Sequence, residues 1–207
     1  MEVQVKNSKF MMLTVLVAIL AVIVLSTRVY AEETSPDPSS AHDRLFTESG
    51  VILGYGTGDI AGNKHYEPIL LIWHLGIDLK RFFPELENHK GKLTFYLEPQ
   101  INPVVNSETD IECGIGLGIK YMYPITDRLS PYIMGGVGPH YISVVTKDQA
   151  NGFIFADTIG AGFYYFITEN SAINLGYRFR HLSNAGLAHP NSGIDTHSGT
   201  IGYSIFF

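Results

Sequence analysis

The sequence predicts an all-β protein, an eight-stranded antiparallel transmembrane β-barrel, and three observations carry that prediction. Eight segments alternate apolar and polar residues with the two-residue period of a strand, and each is long enough for a tilted strand to cross a bilayer. After residue 31 there is no unbroken apolar run of helix-spanning length and no sustained 3.6-residue periodicity. Gly, Tyr and Phe are abundant (21, 12 and 12), which suits tight turns and aromatic girdles.

The chain is read in three parts. In residues 1–31, Lys6 and Lys9 precede an apolar stretch from Phe10 to Leu25, followed by Val29 and Ala31 at the two small positions of a cleavage site. These are the parts of a secretory signal peptide. An uncleaved membrane anchor is the alternative, but the stretch is short for a spanning helix. Residues 32–46 are polar and rich in Pro and Ser, with too little apolar surface to pack, and read as a flexible periplasmic leader. Residues 47–207 hold the barrel, with strands expected near 48–57, 66–79, 91–102, 111–123, 131–143, 152–166, 171–183 and 195–207.

The last two segments show the two faces most clearly. Phe207, Ile205, Tyr203 and Ile201 share one face, suited to lipid; Phe206, Ser204, Gly202 and Thr200 share the other, mostly small and polar, suited to a narrow lumen. In the seventh segment Ile173, Leu175, Tyr177 and Phe179 face one way, and Asn174, Arg178 and Arg180 the other. A terminal Phe on such a strand resembles the end of many outer-membrane barrels. A closed barrel also leaves no backbone group unpaired in lipid. A soluble lipocalin-like barrel or a β-sandwich, with its apolar residues inside, is the competing fold. A lipocalin would usually add a C-terminal helix, where this sequence ends on a strand pattern.

Composition narrows the function. Removing residues 1–31 takes away Lys6, Lys9, Arg28 and Glu2, moving the formal net charge from −6 to −8. No basic stripe remains to bind nucleic acid. Cys113 is the only cysteine, so an intramolecular disulfide and a cysteine zinc cluster are both excluded. His42, His65, His74, His89, His140, His189 and His197 show no tight ligand spacing, so no metal is expected. Glu98 and Glu112 lie within strands and are expected to pair with Arg178 or Arg180 inside the barrel, because buried charges need partners. Trp73 and the many tyrosines are read as membrane-interface anchors.

One cluster points to chemistry. His181 and Ser183 are two apart and share a strand face, and the parity continued from Phe179 makes it the lipid face. Asp195 has the parity of Phe207 in the neighbouring segment and also points outward. Serine is a weak nucleophile until a base takes its proton, histidine suits that task near neutral pH, and a carboxylate on the other ring nitrogen fixes tautomer and orientation. His-x-Ser alone is common, and a polar cluster at a strand end is often only a solvated rim.

The run Arg180-His181-Leu182-Ser183-Asn184-Ala185-Gly186-Leu187, followed by Pro190-Asn191-Ser192-Gly193-Ile194-Asp195, resembles the signature of the outer-membrane lipid A 3-O-deacylase family (PagL). The resemblance is strong over 171–207 and is mostly barrel pattern over 48–170. It implies a serine carboxylic-ester hydrolase of the bacterial outer membrane, with its site on the outer wall, that removes the 3-position acyl chain of lipid A in lipopolysaccharide. It implies Ser183 as nucleophile, His181 as base, Asp195 as the orienting acid, and Asn184 and Asn191 as forming or supporting the oxyanion hole. No metal or organic cofactor is implied. The family often carries Glu at the acid position, and Asp195 is one methylene shorter. With the N-terminus periplasmic, the seventh strand ends at the outer face, beside the leaflet that holds lipid A. Two rivals stand: a non-catalytic structural barrel, and an esterase for phospholipid or another lipid ester. The sequence leaves a homo-oligomer open.

Overall fold

A computed structural model describes residues 45–60, 64–105, 110–145 and 147–207. The expected signal peptide and nearly all of the expected leader lie outside these residues. The described chain forms nine strands: β1 (Glu48–Ile60), β2 (Lys64–Tyr66), β3 (Ile69–Asp78), β4 (Lys92–Val104), β5 (Asp110–Met122), β6 (Leu129–Ile142), β7 (Gly152–Thr168), β8 (Ser171–Ser183) and β9 (Ile194–Phe206). Each pairs antiparallel with its neighbour, and β1 pairs with β9 from Glu48↔Phe206 to Asp59↔Asp195, which closes the sheet into a barrel.

The barrel has eight staves, because β2 and β3 pair with successive stretches of the same edge of β1. The expected single segment 66–79 is thus split, and Pro68 is the physical reason: it has no N–H for the ladder. The flanking carbonyls continue the pairing, with the Gly56 N–H donating to Pro68 O at 2.9 Å and the Val105 N–H to Glu67 O at 3.0 Å. The other seven expected segments match observed strands to within three residues at each end.

The wall is inverted relative to a soluble barrel. Tyr55, Trp73, Ile133, Ile159 and Ile201 stand exposed on the outside, while Glu48, Glu98, Glu112, Lys120, Arg178 and Arg180 are buried inside. This arrangement rules out the lipocalin and sandwich readings, which need the apolar face inward. The expected interior ion pairs are present. Arg178 makes a two-pronged contact with Glu98 (2.6 and 2.9 Å), and Arg180 donates to Glu112. His74 and His140 bond to Glu98 and Glu112 at 2.7 and 2.8 Å, and Lys120 bridges Glu48 and Tyr164 at 2.7 Å each. A lumen this crowded admits only small residues opposite large ones: a Cβ on Gly118 or Gly136 would lie 2.4 or 2.5 Å from the Tyr96 hydroxyl.

The reading of tyrosines as interface anchors fails for four of them. Tyr66, Tyr96, Tyr132 and Tyr164 are buried in the lumen, where the ring fills space and, for Tyr66 and Tyr164, the hydroxyl donates to Glu112 and Glu48 (2.8 Å each). A tyrosine meets either need, since it has an apolar body and a polar tip. Trp73 is outside, its indole N–H on Ser49 Oγ at 3.1 Å.

One end of the lumen is sealed by an apolar cluster that includes Tyr66, Val104, Ile142, Ile154, Leu182 and Ile194. Leu182 sits between His181 and Ser183, and Ile194 precedes Asp195. Burying those two side chains inward forces the flanking ones outward, because a one-residue slip would exchange the faces of a whole strand.

Candidate active site

His181 of β8 and Asp195 of β9 are direct cross-strand partners in the ladder. His181 Nδ1 lies 2.6 Å from Asp195 Oδ1, with the two side chains 39% and 60% exposed. The shorter aspartate therefore reaches the ring without distortion of the strand pairing. Ser183 follows two residues on, half-buried, on the same outward face, opposite Phe155 of β7. Its hydroxyl has no hydrogen-bond partner among the described residues.

The loop 184–193 closes over this corner. Asn184 is buried, and its carboxamide is engaged at both ends: Nδ2 donates to Ala188 O at 2.8 Å, and Oδ1 accepts the Gly186 N–H at 3.0 Å. Ala185 and Gly186 adopt positive φ (53° and 80°), the tight turn that this bracing allows. Asn191 Oδ1 accepts the backbone N–H of Asn184 at 2.9 Å, while its Nδ2 has no partner among the described residues. Of the two asparagines expected at an oxyanion hole, Asn184 thus has its side chain committed to the loop, and Asn191 has an amide donor to spare. Pro190 follows a cis peptide bond from His189.

A model of the family described as lipid A 3-O-deacylase (PagL) matches residues 42–204. The chain belongs to the lipid A 3-O-deacylase (PagL) family. It is 35% identical over 75 residues to the lipid A deacylase PagL of Pseudomonas aeruginosa, covering 35% of this chain and 41% of that protein. It is 39% identical over 67 residues to the lipid A deacylase PagL of Bordetella bronchiseptica, covering 31% and 35%. The matched stretches thus span less than half the length of either relative. Among solved structures, the outer membrane enzyme PagL aligns over 77% of this chain and 99% of its own, with a TM-score of 0.55 and 23% identity. Neisserial surface protein A aligns over 77% and 96%, with a TM-score of 0.58 and 12% identity. Both likenesses show a shared barrel fold of the outer-membrane type.

The structure pairs His181 with Asp195 and sets Ser183 on the same face of β8, while Asn184 and Asn191 bond within the adjoining loop, and neighbours that the sequence did not flag lie beside them. Asp157 of β7 is the ladder partner of His181 on the side away from Asp195, and Asp59 of β1 is the partner of Asp195. Asp157 is exposed on the outer face, and its parity within the segment 152–166 was the signal that would have found it. His197, which shares the parity of Asp195, is turned away from the cluster: its Nδ1 bonds to the Tyr177 hydroxyl and its ring packs against Phe179 at 5.2 Å between centroids.

Proposed function

We propose that this barrel hydrolyses the 3-position acyl ester of lipid A at its lipid-facing wall. The observation that carries the reading is the 2.6 Å contact between His181 Nδ1 and Asp195 Oδ1 on the outer face, with Ser183 two residues along the same strand. Asp195 holds the proton on Nδ1, which leaves Nε2 free to take a proton from Ser183 Oγ. The serine oxygen attacks the ester carbonyl, and the negative charge that develops on the carbonyl oxygen is met by Asn191 Nδ2. His181 then returns its proton to the departing sugar oxygen. Water, deprotonated in turn by His181, attacks the acyl-Ser183 carbonyl; the acyl–Oγ bond breaks, His181 returns the proton to Ser183 Oγ, and the fatty acid leaves.

The placement of the site on the wall fits a substrate that never leaves the bilayer. The acyl ester arrives by lateral diffusion, its chain lying against the apolar outer surface, with no need to enter a lumen filled by ion pairs and aromatic rings. A purely structural barrel has no evident use for an outward Ser, His and Asp on an otherwise lipid-facing wall. An alkyl fluorophosphonate distinguishes the readings. It should label wild-type protein at Ser183, located by peptide mapping, and should not label Ser183→Ala; absence of labelling on the folded wild type favours the structural barrel. Hydrolysis of phospholipid in preference to lipopolysaccharide would favour the other esterase.

A further inference from the structure

The turn that leads into β9 is held from outside its own hairpin. Residues 148–150, in the connection between β6 and β7, lie alongside residues 190–193. The Ala150 N–H donates to Pro190 O and the Ser192 N–H to Asp148 O, each at 2.8 Å, and Gln149 faces Asn191 in an antiparallel bridge. Gln149 is only 1% exposed. Its Oε1 accepts the N–H of Gly193 at 3.0 Å, and its Nε2 donates to Ala150 O at 3.2 Å.

Gly193 is the residue that this brace delivers. It sits at φ +80°, a conformation open to glycine and strained for other residues. It also approaches His181 closely: a Cβ at this position would lie 2.6 Å from His181 Cε1 and 3.2 Å from Nε2. The imidazole is therefore confined from two directions, by Asp195 at Nδ1 and by the Gly193 backbone beside Cε1. A hydrogen bond at Nδ1 alone would still let the ring swing about that contact. The Gly193 backbone removes that freedom, and Gln149 fixes the Gly193 backbone.

We infer that Gln149 is a positioning residue for His181, acting through Gly193, and that the β6–β7 connection is thereby part of the catalytic assembly. The inference rests on His181 being the base. Gln149 touches neither substrate nor reacting atoms. Its buried carboxamide sets where the base can point.

The test uses the full-length protein in detergent micelles with lipopolysaccharide as substrate. Gln149→Met keeps the length of the side chain and removes the acceptor for Gly193. Misplacement of a catalytic group by about 1 Å costs on the order of 100-fold, so kcat should fall about 10- to 100-fold with KM changed less than about 2-fold. The rate of fluorophosphonate labelling at Ser183 should fall in parallel. Gln149→Glu retains an acceptor oxygen in either protonation state and should recover most of kcat. Gly193→Ala, whose new methyl meets the ring, should reproduce the loss, and it carries the test if Gln149→Met does not fold. Heat-modifiable migration on gels confirms the barrel in each variant. Unchanged kcat in a folded Gln149→Met, a change in KM alone, or a Gln149→Glu as impaired as Gln149→Met would overturn the inference, as would unchanged kcat in Gly193→Ala. Ser183→Ala run alongside separates the two claims: if it is inactive while Gln149→Met is unimpaired, only the positioning role falls; if it is active, the reading of the site falls.

Discussion

Replacing Asp195 with Asn keeps the size of the side chain and removes its charge. In the native site the carboxylate accepts from His181 Nδ1 at 2.6 Å and can only accept, so it fixes the tautomer with Nε2 unprotonated. An asparagine amide can instead donate to Nδ1, which stabilises the opposite tautomer and leaves no base at Nε2. A hydrogen bond to a charged group contributes about 1.5–3 kcal/mol. The pair is 39% and 60% exposed, so solvent screening argues for the lower part of that range. At about 1.4 kcal/mol per decade of rate, kcat should drop roughly 10- to 40-fold with little change in KM. The assay is fatty-acid release from lipopolysaccharide by purified protein, with barrel formation checked by gel migration. Asp195→Glu should stay near wild type, since the Asp195 side chain is 60% exposed and an added methylene meets no packed neighbour there. Asp157 is the built-in control, because it flanks His181 from the opposite strand. If Asp157→Asn abolished activity while Asp195→Asn did not, the orienting acid would be the wrong one of the two. An Asp195→Asn protein with unchanged kcat would refute the reasoning outright.

The remaining predictions concern the loop and the lumen. Asn191→Ala should lower kcat by about 100- to 1,000-fold, the usual cost of a lost oxyanion donor, measured by the same release assay. Asn184→Ala should instead loosen the 184–188 turn, seen as faster proteolysis or hydrogen exchange there, with a smaller loss of rate that follows the loop. Glu98→Ala leaves the Arg178 guanidinium buried without its two contacts and should destabilise the barrel by about 3–5 kcal/mol in urea titrations in lipid vesicles, while the folded fraction keeps its activity.

The fold was largely legible because a lipid-facing wall and a packed lumen each impose a two-residue period, and the two periods reinforce one another along every strand. That same parity placed Ser183, His181 and Asp195 outside, and the ladder partnership of His181 with Asp195 turned a shared face into a 2.6 Å contact. The interior pairs of Arg178 with Glu98 and Arg180 with Glu112 were legible for a related reason: charges on a buried face have few places to go. Other features were hidden because they depend on tertiary neighbours. Pro68 breaks a stave whose hydrophobic pattern runs straight through it. Tyr96 and Tyr164 point inward, where their composition alone would equally suit the membrane edge. Gln149 acts 44 residues away in sequence from the glycine it holds, and no local pattern marks it.

The wall of the barrel, more than its lumen, is the functional surface in this account. The apolar seal around Leu182 and Ile194 explains why the residues between and beside them face outward. The central claim is that Ser183 is the nucleophile for an acyl ester of lipid A. Mass spectrometry of lipid A from cells expressing the wild-type chain or Ser183→Ala tests it most directly. The account predicts loss of one 3-position hydroxyacyl chain with the wild type and intact lipid A with Ser183→Ala, both barrels being inserted in the outer membrane. Intact lipid A with both, or the same loss with both, would contradict it.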